Sequence, residues 1–332
     1  MADAPRSRPA RRTVRPVGAR GWRSPGWLVV VLVVLLAAAC SGGSPGAAGT
    51  GTPGEPRSQA EIGSQSVTLS SGGRVRSYRL YRPTDLPARA PLVVMLHGGF
   101  GDAALAERAY GWDAQADAGH FVVAYPEGIN RAWAVGGGCC GVPGRTGVDD
   151  VAFVRTVVDD VARRVPIDRR RIYATGISNG GMFAYRLACD TSIFAAIGPV
   201  AATLLGPCRS PAAVSVIHIH GTADSRIRFD GAPGDGAERI DGPAVPALIS
   251  RWRAVDRCGD PTVHRDDPVT TSSSSCPQGR AVTLVTVAGA GHQWPGSTPR
   301  PGLERALGID PPSQALDATR VIWRFFDGHP AH

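Results

Sequence analysis

Apolar residues recur along this chain in two forms, as short runs with almost no polar interruption and as stripes of helical period. The runs at 92–96, 121–125 and 172–175 predict strands buried on both faces, the habit of a parallel sheet. Residues 194–197, 214–220 and 282–287 predict further strands. Earlier in the chain, 66–70 and 75–81 flank Ser71-Gly72-Gly73, which reads as a β-hairpin. Helical stripes fall at 151–165, 181–188 and 318–326, the first opened by Asp149 and Asp150, carboxylates suited to capping free N–H groups. Strands alternating with helices from residue 62 to residue 328 predict one α/β domain, a mostly parallel, doubly wound sheet with flanking helices. No internal repeat interrupts the pattern.

Before residue 62 the pattern changes. Residues 27–39 form one apolar run of 13, too short to span a bilayer comfortably and of the length of a signal-peptide core. Seven arginines and a single acid, Asp3, precede it, so most of the net charge of +8 sits there. The basic balance is therefore a targeting feature, and nucleic-acid binding loses its main support. The run ends at Cys40, followed by Ser41-Gly42-Gly43, which resembles the signal of a bacterial lipoprotein, whose cysteine becomes the lipidated N-terminus. Ordinary secretion and an uncleaved anchor are the alternatives. Residues 1–40 are expected to be a signal peptide of lipoprotein type, and 41–61, rich in Gly, Ser, Pro, Thr and Ala, a flexible tether. The expected location is the bacterial cell envelope or exterior, with membrane contact only through a lipid on Cys40.

Six cysteines follow: Cys139, Cys140, Cys189, Cys208, Cys258 and Cys276. In an exported chain an even set predicts disulfides, and six allow 15 pairings. Cys189 with Cys208 and Cys258 with Cys276 each close a short loop, which leaves the adjacent Cys139 and Cys140 to each other in a vicinal bond. No C-x-x-C pair and no histidine at ligand spacing supports a metal site, and no cofactor is expected.

Candidate chemistry centres on Gly176-Ile177-Ser178-Asn179-Gly180, which joins the strand at 172–175 to the helix at 181–188. That is the context in which G-x-S-x-G forms a nucleophile elbow. A serine nucleophile needs a base, an acid to orient the base, and donors for the oxyanion. On α/β-hydrolase sheets these follow in the chain order serine, acid, histidine. His292 lies in the glycine-rich loop 288–296 directly after the strand at 282–287, where a base can lean over the sheet edge. Asp224 follows the strand at 214–220, again at a carboxyl end, with Asp230 the competing acid. Asp149 and Asp150 precede the serine and are accounted for by capping. Leu96-His97-Gly98-Gly99 has the H-G-G form of an oxyanion loop, so the amides of Gly99 and Asn179 are the candidate donors and His97 a brace. His218 and His220 share one strand face and read as a packed pair rather than as metal ligands. Trp294 and Trp133 are candidates for the substrate cleft, core packing being the alternative for Trp294.

Taken together, Leu96-His97-Gly98-Gly99, Trp133 with Cys139-Cys140-Gly141, Val148-Asp149-Asp150-Val151, Gly176 to Met182, His220-Gly221-Thr222-Ala223-Asp224 and Gly291-His292-Gln293-Trp294-Pro295-Gly296 resemble the polyhydroxybutyrate depolymerase-like esterases. These are secreted α/β-hydrolases related to the feruloyl and acetylxylan esterases of the first carbohydrate esterase family, and they include actinobacterial lipoproteins. The resemblance covers residues 62–328 and implies the α/β-hydrolase fold, with Ser178, Asp224 and His292 as its triad. Polymer depolymerases of the family usually add a linker and a binding module after the catalytic domain, whereas this sequence ends at His332. The expected activity is hydrolysis of feruloyl or acetyl esters of polysaccharide, or of short hydroxyalkanoate esters. The alternatives are a peptidase on the same fold and an envelope lipoprotein that binds without catalysing.

Overall fold

The computed structural model describes residues 60–235, 239–307 and 309–331. The expected signal segment, Cys40 and the tether up to residue 59 lie outside them. Among the described residues ten strands form one sheet: β1 (Gly63–Ser71), β2 (Arg74–Arg82), β3 (Ala90–Leu96), β4 (Val122–Pro126), β5 (Ile167–Ile177), β6 (Ala196–Val200), β7 (Ser215–Gly221), β8 (Thr262–Asp266), β9 (Val269–Ser275) and β10 (Ala281–Val287). Their spatial order is β1-β2-β4-β3-β5-β6-β7-β10-β9-β8. The strands from β4 to β10 run parallel, and antiparallel pairs close both margins.

Burial explains which strands the sequence made visible. Every residue of β3 and of β7 is buried; β3 is apolar throughout, and β7 is an apolar run broken by His218 and His220. By contrast β8 is exposed along its whole length and β9 is largely Thr and Ser. These margin strands have no apolar pattern to betray them in the sequence.

Eight helices cover the sheet: α1 (Ala103–Ala109), α2 (Trp112–Gly119), α3 (Gly141–Thr146), α4 (Asp150–Arg164), α5 (Asn179–Asp190), α6 (Val245–Val255), α7 (Pro301–Leu307) and α8 (Ala318–Asp327), counted among the described residues. α4, α5 and α6 bury Phe153, Phe183 and Trp252 against one face. α1, α2 and α8 bury Ala106, Trp112 and Trp323 against the other. α8 shows how sequence makes such an element: Asp317 caps it by accepting from the Arg320 amide, and Ala318, Ile322, Trp323 and Phe326 form the stripe that is buried. Trp323 stacks on Phe121 with ring centroids 3.8 Å apart, and truncating it to alanine would cost about 3–5 kcal/mol.

One capping expectation changes. Asp149 caps α4 through the Ala152 amide, but Asp150 does not cap. Its buried carboxylate takes Arg76 at 2.8 Å and the Ala134 amide at 2.9 Å, tying the loop after β4 to the helix. Arg76 in turn lies over the Phe153 ring, 3.7 Å from its centroid. The three disulfides are Cys139–Cys140, Cys189–Cys208 and Cys258–Cys276, the pairing that loop length suggests.

From β3 the chain moves outward to β4 and then returns to β5 on the other side of β3. Such a reversal opens a crevice at the carboxyl ends of the two central strands. The H-G-G loop leaves β3 there and the G-x-S-x-G turn leaves β5 there. This is the α/β-hydrolase arrangement.

Candidate active site

Ser178 stands between β5 and α5 with φ 56° and ψ −122°, a backbone state costly for a residue that carries a Cβ. Its amide donates to the Val200 carbonyl at 2.9 Å and its carbonyl accepts from Met182 at 2.8 Å, which holds the turn in place. Two places to either side of it only glycine fits. A Cβ at Gly176 would stand 2.6 Å from the Leu96 carbonyl oxygen, and one at Gly180 would collide with the same atom. The elbow therefore lies directly on the end of β3.

The loop after β3 lies against that elbow. Phe100 donates its amide to Arg131 at 2.9 Å and Gly101 to Gly98 at 3.0 Å. Among the described residues the amides of Gly99 and Asn179 have no acceptor, and a Cβ at Gly99 would be 3.7 Å from that of Asn179. His97 braces the loop: Nδ1–H donates to the Gly98 carbonyl and Nε2 accepts from the Gly128 amide, each at 2.9 Å. Burial pushes its pKa down to about 4 against the pull of the Gly98 carbonyl, so the ring is neutral.

β7 and β10 are parallel neighbours whose last residues, Gly221 and Val287, are paired. Their loops leave the same edge and are joined by Thr222 N–H to Val287 at 3.0 Å and Ala223 N–H to Ala290 at 2.9 Å. There Asp224 Oδ2 accepts from His292 Nδ1 at 2.7 Å, while Oδ1 accepts from the amides of Arg226 and Ile227, each at 2.9 Å. Burial raises the Asp224 carboxyl, but the hydrogen bond from His292 and the favourable electrostatics of the His292 and His220 rings outweigh it, and its pKa falls below the ordinary value. A carboxylate only accepts, so Nδ1 of His292 carries the hydrogen of this contact. Ser178 lies two strands from β7 on this same edge, about 10 Å by strand spacing. Asp230, the competing acid, is exposed and pairs with Arg228 at 3.1 Å.

A serine turn, a histidine–carboxylate pair and two unpaired amides at one sheet edge are parts suited to acyl transfer. A family model described as Esterase PHB depolymerase matches residues 76–251. The chain belongs to that family. "Putative esterase NocK" of Nocardia uniformis subsp. tsuyamanensis is 33% identical over 276 residues, which cover 74% of this chain and 78% of the relative. "Feruloyl esterase B" of Piromyces equi is 26% identical over 61% of this chain and only 39% of its own length. The solved "Acetyl xylan esterase from Aspergillus awamori" superposes with a TM-score of 0.52 at 13% identity, covering 73% of this chain and 98% of that one, a likeness of fold. This member of the family is a carboxylic ester hydrolase.

Neither tryptophan expected at the substrate cleft of this esterase is open to one. Trp133 is fully buried, stacked on Phe183 with its Nε1–H donated to the His97 carbonyl at 2.9 Å. Its main chain meets the Asn179 side chain, amide to Oδ1 at 2.7 Å and carbonyl to Nδ2 at 3.2 Å. It thus clips the H-G-G loop to the elbow from behind. Trp294 is 1% exposed, packs on Tyr110 and Trp112, and donates to Thr319 at 3.0 Å, which anchors the histidine loop to α8. Each ring has a polar partner for its N–H inside the core.

Sequence reasoning missed Asp310, whose carboxylate accepts the His292 amide at 2.7 Å from an irregular segment without any local signal. His218 and His220 are stacked and hydrogen-bonded at 2.9 Å. Among the described residues no group of His, Cys, Asp and Glu is arranged to hold a metal ion.

Proposed function

We propose that this chain is an exported serine esterase that works through an acyl-enzyme. Ser178 Oγ attacks the ester carbonyl while Nε2 of His292 takes its proton, and the Asp224 carboxylate stabilises the imidazolium that forms. The amides of Gly99 and Asn179 hold the oxyanion. His292 then returns the proton to the leaving alcohol, and water repeats the cycle on the acyl-serine. The observation that carries this reading is the 2.7 Å contact between His292 Nδ1 and Asp224, at the sheet edge where Ser178 sits in its strained turn.

The substrates we infer are feruloyl or acetyl esters of polysaccharide, or short hydroxyalkanoate esters, in keeping with the feruloyl and acetylxylan esterases among its relatives. Residues 1–40 serve as an export signal with Cys40 as the lipidated residue, 41–61 as a tether and 62–328 as the catalytic domain. Three disulfides support an oxidising compartment. The test is hydrolysis of a feruloyl sugar ester, acetylated xylan and a hydroxybutyrate oligomer by the full chain and by Ser178→Ala. Loss of turnover on one of them in the variant is expected; equal rates in the two proteins would overturn the reading. Mass analysis of the mature N-terminus tests Cys40 separately.

A further inference from the structure

A buried row of side chains joins the helix that begins at Ser178 to the turn that carries Asp224. Tyr185 lies on α5, seven residues past the serine, and its hydroxyl is 2.7 Å from His218 Nδ1 on β7. His218 Nε2 is 2.9 Å from His220 Nδ1, and His220 Nε2 is 2.8 Å from the Ile227 carbonyl oxygen. That last oxygen can only accept, so it sets the direction of the whole row. His220 Nε2 carries a hydrogen, His220 Nδ1 accepts from His218 Nε2–H, and His218 Nδ1 accepts from the Tyr185 hydroxyl. Both rings are neutral: burial lowers the pKa of each, helped at His218 by the second histidine and opposed at His220 by Asp224 and the Ile227 carbonyl. The titratable groups facing the row are Tyr185, Asp224 and His292, while Trp252 and Phe229 pack on it without charge.

The row ends on the turn that positions the acid. Asp224 Oδ1 holds the amides of Arg226 and Ile227, and His220 holds the carbonyl of the same Ile227. His220 Nε2 is also 3.5 Å from Asp224 Oδ2, too long for a hydrogen bond but close enough to face it with positive polarity. An aliphatic side chain at 220 would leave a buried carbonyl without a donor and the turn unpinned.

We propose that Tyr185, His218 and His220 are positioning residues, a one-way hydrogen-bonded row that pins the acid turn to β7 and to the nucleophile's helix and so keeps Asp224 aimed at His292. This rests on the reading of Asp224 as the orienting acid, and the tests separate the two. Nitrogen-15 NMR of the full chain carrying Ser178→Ala is expected to show His218 and His220 as Nε2–H tautomers that do not titrate between about pH 5 and 8. An Nδ1–H tautomer or a titrating ring at either position overturns the row without reference to activity.

In turnover, His220→Leu is expected to lower kcat roughly 100-fold with little change in KM and to move the acid limb of kcat/KM to lower pH. His220→Gln, which restores an N–H toward Ile227, is expected to recover most of the loss. An unchanged kcat and acid limb in His220→Leu, while Asp224→Asn is inactive, overturns the row and leaves the acid reading standing. Full activity in Asp224→Asn overturns the acid reading and, with it, the purpose assigned to the row. Should His220→Leu not fold, Tyr185→Phe removes only the first donor. A shift of both imidazole nitrogen resonances is then expected, and an unmoved His220 overturns the linkage.

Discussion

The same dipeptide, His97-Gly98 just after β3 and His220-Gly221 at the end of β7, stands at two strand ends, and in both places a buried neutral histidine holds a loop by its Nε2. The two corners differ in polarity. His97 Nε2 accepts, from the Gly128 amide, whereas His220 Nε2 donates, to the Ile227 carbonyl. The partner decides which nitrogen carries the hydrogen, so one dipeptide makes an acceptor brace behind the H-G-G loop and a donor brace behind the acid turn. Burial is the common cause, since it removes the charged form that would otherwise donate from both nitrogens.

The largest break expected between the corners is Asp224→Asn. It strikes the turn that the β7 corner supports, and a drop in kcat of about 10⁴ is expected, with the fold retained by circular dichroism. A second contrast appears in acid. The pKa of His97 lies at about 4 against 6.5 when unfolded. Below pH 6.5 the unfolded chain takes up a proton that the folded chain refuses, so stability is lost as the pH falls toward 4. Denaturant titrations should show the parent protein losing about 3 kcal/mol more over this window than His97→Gln, which has no such group.

The glycines sharpen the comparison further. A Cβ at Gly221 would run into the carbonyl oxygen of Ala290 and force the loops that carry Asp224 and His292 apart. Gly221→Ala should therefore cost about 1–3 kcal/mol by thermal unfolding and depress turnover as well. At Gly98 the nearest atoms to an added Cβ are those of Ile177 at 3.4 Å and Ser178 at 3.7 Å. Gly98→Ala should lose less than about 1 kcal/mol, the smallest effect of the set. Equal losses at the two glycines would show that the loops beyond β7 and β10 give way more easily than their backbone contacts imply.

Much of the architecture is legible in the sequence, because central strands such as β3 and β4 are buried on both faces and so stand out as apolar runs. The polar pair β8 and β9 is not, since strands at an exposed margin carry no such contrast. Asp150 was read as a cap from its place at a helix start, and packing instead set it against Arg76. Trp133 and Trp294 are cleft candidates in the sequence, Trp294 because it lies two residues past His292. Nearness along the chain says nothing about which way a ring turns, and both turn into the core.

By itself the sequence determined the order of the buried strands and of α4, α5 and α8, the glycines two places to either side of Ser178, and the chain order of Ser178, Asp224 and His292, because these are matters of local pattern and spacing. Only the tertiary structure decided that His292 Nδ1 meets Asp224, that Asp310 holds the His292 amide, and that Tyr185 reaches His218 across the helix–sheet interface. Such contacts join residues far apart in the chain, and their direction is set by which groups are buried together and which of them can only accept a hydrogen bond.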